Sequence, residues 1–284
     1  MKKNIKNRVL ELKLPDNWQG FAVEKWADFA FDPQKLTENP DTVLKSDGQN
    51  ITGLKTLDHN GKKISFVFKK TITEFTAKST IDFFRDSKSV RNLSLAVELK
   101  DRQIDSAEPV AALWRKKQFK TIENIYLTEY IPASLSLYDV AFGKNKEIIS
   151  DFSVRKSVIT AVAELIASLH KAGCWHRDSK AGNFIVYKND AGVYKAKFVD
   201  LDGIKRDLPG WGKNRIRTLA KLAETLTRFK VVTFTDLYRG FFDYCGAMQI
   251  PYGSARRLFR RVERLTVAKR LTTIIADSYS IKDK

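Results

Sequence analysis

The stretch HRDSKAGNFIV, residues 176–186, sets a histidine, an arginine, an aspartate, a lysine and an asparagine directly ahead of an apolar run. Beyond it, FIVYK (184–188) and KAKFVDL (195–201) read as two short strands joined by a turn at Asn189 to Gly192. Such a hairpin gathers the polar groups before its first strand (Asp178, Lys180, Asn183) and those after its second (Asp200, Asp202) at one end. Transfer of a γ-phosphoryl group asks for this set: a base that orients the acceptor hydroxyl, oxygen ligands for magnesium, and a cation for the developing charge.

Upstream of the loop, SVRKSVITAVAELIASLHKAG carries Val158, Ala161, Val162, Leu165, Ile166 and Leu169 on one stripe, and Gly173 is placed to end the helix. From Thr42 the texture is β-like. An Asn60-Gly61 turn signal separates DTVLKSDGQNITGLKTL from KKISFVFKK, in which Ile64, Phe66 and Phe68 alternate with Ser65, Val67 and Lys69. A helix follows around Asp86 to Leu99, then the strand candidates PVAALWRKK and ENIYLTEYI. The order is three strands, a helix and two strands. Residues 1–40 read as an irregular, partly helical extension with Trp18 and Trp26 as anchors, and from Trp211 onward the chain reads as basic helices.

A chain of 284 residues with 43% hydrophobic composition can bury a substantial core. The basic start is followed by no apolar run of signal-peptide length, and nothing downstream reaches transmembrane length, so a cytoplasmic protein is expected. Cys174 and Cys245 stand far apart, outside any metal-ligand spacing, and read as ordinary reduced thiols. The formal charge of +18 favours an anionic partner without choosing between nucleic acid, an acidic membrane and a phosphorylated substrate. No RRM, KH or zinc pattern supports nucleic acid.

The loop HRDSKAGN resembles the catalytic loop of the protein-kinase-like superfamily, and FVDLDG stands where that superfamily keeps its metal-binding aspartate. The resemblance implies an α+β, two-lobe fold: an antiparallel sheet with one main helix over residues 41–130, and a mainly helical lobe over 131–284. It further implies ATP and Mg2+. Asp178 would be the catalytic base, Lys180 the contact to the transferred phosphate, Asn183 and Asp200 the magnesium ligands, and His176 a structural brace. Whether Asp202 also binds metal stays open.

In FVFKK, Lys69 fits the ATP lysine, with Val67 on the adenine side and Lys70 as the alternative one residue out of phase. IYLTEYI looks like the hinge, with the backbone of Glu129 and Ile131 meeting adenine and Thr128 lining the pocket behind it. Three features depart from a protein kinase. The first turn offers only SDGQN, with Gly48, in place of a glycine-rich loop; Asn92 and Glu98 compete for the position that pairs with Lys69; and no A-P-E motif follows Gly203.

The segment LDGIKRDLPGWGKNRIRTLAKLAETLTRFKVVTFTDLYRGFFDYCG, with SKSVRNLSLAVELKDRQIDSAEPVA before it, resembles the lipopolysaccharide kinase (Kdo/WaaP) family over about residues 42–250. That implies an ATP-dependent phosphotransferase acting on a heptose or Kdo hydroxyl of the lipopolysaccharide inner core at the cytoplasmic face of the inner membrane. The implied partner is the core or another anionic glycolipid, not nucleic acid. Lys213, Arg215 and Arg217 are candidates for acceptor or membrane contact, and Phe259, Val262 and Leu265 beside arginines read either as the buried stripe of a helix that leaves its cations in water or as a peripheral membrane helix. The rival readings are a kinase of another small-molecule or protein acceptor and a non-catalytic scaffold.

Overall fold

The computed structural model describes residues 8–73, 86–117, 120–207 and 212–282; Trp211 lies outside the described residues. The chain divides into two compact units, Met1–Arg102 with Ser106–Ile131, and Gln103–Asp105 with Pro132–Lys284.

The first unit is an antiparallel sheet. In chain order it contains β1 (Val9–Lys13), β2 (Trp18–Val23), α1 (Pro33–Thr37), β3 (Thr42–Ser46), β4 (Asn50–His59), β5 (Lys62–Ile72), α2 (Lys88–Asp101), β6 (Pro109–Lys117) and β7 (Lys120–Glu129). The strands lie in the order β1-β2-β6-β7-β5-β4-β3. The turn between β4 and β5 forms because Asn60 and Gly61 both take positive φ, 54° and 76°, the twist a two-residue hairpin needs.

The irregular extension expected for residues 1–40 is corrected here: β1 pairs with β2, and β2 pairs with β6, so Val9–Lys13 and Trp18–Val23 are part of the sheet. The turn at Pro15 to Trp18 uses Asp16 and Asn17, both at positive φ, and Trp18, Gly20 and Ala22 face inward on alternate positions. This alternation covers too few residues to stand out from the polar stretch around it.

The two faces of the sheet pack differently. Phe66 and Phe68 of β5 bury themselves among Trp18, Trp26, Phe29 and Leu113, with Trp26 edge-on to Phe66 at 5.2 Å. On the other face α2 lays Val90, Leu93 and Val97 over Ala112, Trp114 and Tyr126. Successive strand residues alternate faces, so Val67 and Lys69 fall on the α2 face with their cross-strand neighbours Thr128 and Tyr126.

The second unit contains β8 (Leu135–Ser136), α3 (Leu137–Phe142), α4 (Lys146–Ser150), α5 (Phe152–Lys171), β9 (Cys174–His176), β10 (Phe184–Lys188), β11 (Tyr194–Phe198), β12 (Ile204–Arg206), α6 (Gly212–Leu226), α7 (Phe234–Ala247) and α8 (Tyr252–Lys282). α5 starts where the Asp151 carboxylate accepts from the Ser153 and Val154 amides, and its apolar stripe is buried from Val158 to Leu169. Gly173 at φ 69° turns the chain into β9.

Candidate active site

The loop between β9 and β10 is closed from below by strand pairing. β9 pairs with β12 (His176 opposite Ile204), and β10 pairs with β11 (Phe184 opposite Phe198). The polar residues of 176–183 and 200–203 therefore occur at the ends of two adjacent ladders, as the hairpin argument requires.

His176 is fully buried and organises both halves. Its Nδ1 accepts from the Asp178 amide at 3.1 Å, which makes Nε2 the protonated nitrogen, and Nε2 donates to the Asp200 carbonyl at 3.0 Å. Burial, working against the bond to Asp200, holds the ring below its ordinary pKa. A neutral imidazole thus ties the backbone of Asp178 to that of Asp200. Gly203 lies against the same ring: a Cβ there would sit 2.4 Å from His176 Cε1 and 3.2 Å from the Asp178 amide nitrogen.

Asn183, buried, donates its side-chain NH2 to the Asp178 carbonyl at 2.6 Å, and its own carbonyl accepts from the Val199 amide at 3.1 Å. This commits the amide nitrogen to the loop's own backbone. Lys180 Nζ stands 3.0 Å from Asp178 Oδ2, both side chains partly open to solvent. Burial pushes the Asp178 carboxyl up, but the hydrogen bond and charge of Lys180, with the charge of Lys221 behind them, outweigh it and hold the group below the usual carboxylate value. Asp200 Oδ1 accepts from the Asp202 amide at 3.3 Å.

The residues that hold this loop from α6 are ones the sequence reading passed over. The Thr218 hydroxyl meets both the amide and the carbonyl of His176, at 3.2 and 3.1 Å; Ser179 Oγ donates to the Thr218 carbonyl at 2.6 Å; and the Thr225 hydroxyl accepts from the Ala181 amide at 3.1 Å. Between these anchors lies Lys221, 3.0 Å from the carboxylate of Glu224. Glu224 is fully buried and also bonded by Arg228; burial pushes its pKa up, but Arg228 and Lys221 overcome that and keep the group ionised. Thr218, Lys221 and Thr225 recur at helical spacing beside the apolar stripe Ile216, Leu219, Leu222, and that polar stripe was the available signal.

In the first unit, Lys69 occurs on the face shared with Val67 and Thr128, whereas Lys70 is 3.3 Å from Glu123 on the opposite, aromatic face. Thr128 is buried. The Glu129 amide donates to the Glu108 carbonyl at 2.9 Å and the Glu129 carboxylate meets Lys25 Nζ at 2.6 Å. Ile131 is half-buried. On α2, Asn92 is buried and Glu98 pairs with Arg102 at 2.9 Å. Of the α6 cations, Lys213 and Arg217 are exposed, while Arg215 donates to the His170 carbonyl at the end of α5.

Away from the loop, the second unit holds an apolar cavity of about 390 Å³ lined by Val158, Val162, Leu222, Leu237, Phe241 and Val262 among others. Among the described residues no helix is long and apolar enough to cross a membrane, and no three His, Cys, Asp or Glu side chains group as metal ligands.

The antiparallel sheet unit, the helical unit and the HRD loop define a protein-kinase-like phosphotransferase. The sequence matches the family model of the lipopolysaccharide kinase (Kdo/WaaP) family over residues 38–238, and the chain belongs to that family. Among solved structures it is similar to WaaP in complex with acyl carrier protein, at 16% identity and TM-score 0.52, covering 79% of this chain and 88% of that one. It also aligns with a maize sucrose-induced receptor kinase domain bound to AMP-PNP, at 12% identity and TM-score 0.49, over 84% and 98% of the two chains. No curated protein matches the sequence.

Proposed function

We propose that this protein transfers the γ-phosphoryl group of ATP to a sugar hydroxyl, heptose or Kdo, of the lipopolysaccharide inner core, with Mg2+ as the metal. The observation that carries this is the paired Asp178 and Lys180, joined through the neutral His176 ring and the Asn183 amide to the backbone that leads to Asp200. Asp178, held ionised, takes the proton of the attacking hydroxyl, and Lys180 meets the charge on the phosphoryl oxygens. The Asn183 amide oxygen and the Asp200 carboxylate are hard oxygen donors of the kind magnesium takes, few in number because the metal keeps waters and phosphate oxygens. Bound there, Mg2+ would neutralise charge on the phosphates.

Lys69 reaches the ATP phosphates from the face it shares with Val67 and Thr128, and the Glu129 carbonyl and Ile131 amide meet adenine. Lys213 and Arg217 face the anionic acceptor from α6, with Arg215 holding that helix to α5. The acceptor's lipid anchor implies a peripheral position at the cytoplasmic face of the inner membrane. Mass spectrometry of the core from cells with and without the gene tests the reading: the expected result is one phosphate lost with the gene and restored by wild type but not by Asp178→Ala. An unchanged core overturns it.

The cavity favours a further partner. Protein interiors leave few voids larger than a water, and an apolar space of about 390 Å³ suits an acyl chain. As WaaP was solved with acyl carrier protein, we propose that this chain also takes an acylated carrier. A melting temperature raised by the long-chain acyl form and not by the unacylated form is the expected result; equal response to both contradicts it.

A further inference from the structure

The stripe of Phe259, Val262 and Leu265 on α8 reads from sequence either as buried in the helical lobe or as facing a membrane. The structure decides for burial: Val262 is 6% exposed, and Phe259 packs 5.2 Å from Phe241 and 6.1 Å from Phe234. With Ala255 they form the side of the helix turned to the protein.

A neighbouring side, whose Val267 also borders the apolar cavity, carries a different series. Arg256, Arg260, Arg264, Val267, Leu271 and Ile274 follow one another at intervals of three or four residues, which places all six on one stripe. All are exposed, the three aliphatics by 54%, 55% and 51%. At 1.5 Å per residue the stripe runs roughly 27 Å, cationic in its first half and apolar in its second. Arg257 and Arg261, also exposed, flank the cationic half. Exposed aliphatics in line on a helix mark an interaction surface more often than scattered ones do.

We propose that this stripe docks the protein on an anionic lipid bilayer. The arginines meet lipid phosphates, and Val267, Leu271 and Ile274 enter the boundary between headgroups and acyl chains. A second copy of this chain fits poorly, because two chains of formal charge +18 repel. Nucleic acid would satisfy the arginines and leave the aliphatic half in water. A bilayer offers negative charge and apolar depth side by side. The inference deepens the reading of a lipid-anchored acceptor and rests on it for its biological sense, but its test does not require phosphoryl transfer.

The full-length protein is sedimented with vesicles of phosphatidylethanolamine and phosphatidylglycerol, and with vesicles of phosphatidylcholine alone. Wild type is expected to bind the first and not the second. Replacing all three arginines (Arg256→Gln, Arg260→Gln, Arg264→Gln) is expected to weaken binding about a hundredfold, from roughly fivefold per cation near an anionic surface. The triple change Val267→Gln, Leu271→Gln, Ile274→Gln is expected to leave binding that moderate salt abolishes, whereas wild type resists it. Both variants should melt as wild type does and phosphorylate delipidated core oligosaccharide at the wild-type rate. Wild type ignoring both vesicles, or either triple variant binding like wild type, overturns the proposal. So does wild type that ignores vesicles but binds acyl carrier protein through these arginines, which assigns the stripe to an acidic protein. A wild type that binds vesicles but phosphorylates no core sugar removes the proposed function and leaves this surface standing.

Discussion

Around residues 176–203 side chains hold backbone: His176 spans Asp178 and Asp200, Asn183 holds the Asp178 carbonyl, and Thr218 brackets His176. On β5 and β7 strand alternation sets the faces of the candidate nucleotide-binding groups, with Lys69 on one face and Lys70 on the other. The first arrangement fixes the candidate reacting groups through buried hydrogen bonds. The second fixes which face a side chain takes, and a lysine's length lets its charge reach across that face. A phosphoryl-transfer centre needs the first kind of precision at the reacting atoms; charge neutralisation of a nucleotide tolerates the second.

The largest expected effect breaks the loop chemically without touching its scaffold. Asp178→Ala removes a partly exposed carboxylate whose backbone stays tied by His176 and Asn183. Phosphoryl transfer should fall roughly 10²- to 10⁴-fold in single-turnover assays, with the melting temperature unchanged. A near-wild-type rate would remove the assigned role.

The two lysines of β5 sharpen the other half of the comparison. Lys69→Met should raise KM for ATP about tenfold or more, the order of one lost charge-assisted contact, while Lys70→Met, losing the partly exposed pair with Glu123, should leave KM alone and cost at most about 1 kcal/mol in urea unfolding. The reverse pattern would move the nucleotide lysine to Lys70.

Gly203→Ala tests how tightly the loop is fitted. Its Cβ would overlap the His176 ring at 2.4 Å, so a loss of roughly 1–3 kcal/mol in stability is expected, together with slower turnover. Full stability and rate in that variant would show that the ring can give way.

Acid sensitivity offers an effect confined to low pH, away from the working range of the loop. His170 is fully buried against the Tyr244 hydroxyl, and burial with the nearby Arg215 lowers its pKa to about 3. Unfolded, it titrates near 6.5, so the unfolded chain takes the proton first. Its contribution is complete above about pH 6.5 and drains as pH falls toward 3, by at most about 1.4 kcal/mol per unit. His170→Gln should flatten this part of the stability-pH curve. An unaltered slope would place the acid sensitivity elsewhere.

How much of this was legible in the sequence follows the same division. The loop from His176 to Asn183 could be read because the chemistry dictates residue type and spacing, and the alternation of KKISFVFKK was long enough to separate Lys69 from Lys70. Strands β1 and β2 were missed because six alternating residues beside a polar turn give little signal. Thr218, Lys221 and Thr225 were missed because they act across more than thirty residues of chain, a contact only the packed α6 supplies. On α8 periodicity found the stripe of Phe259, Val262 and Leu265 without settling whether it is buried, and did not single out Val267, Leu271 and Ile274; the aromatic packing of Phe259 and the exposure of the three aliphatics decide both.

The central claim is that Asn183 and Asp200 present their oxygens to a nucleotide-bound metal beside Asp178. Titrating ATP into the protein with and without Mg2+, for wild type and Asp200→Ala, tests it most directly. Mg2+-dependent uptake in wild type, lost in a folded Asp200→Ala variant, is the predicted result; uptake indifferent to Mg2+, or equal in both proteins, would contradict it.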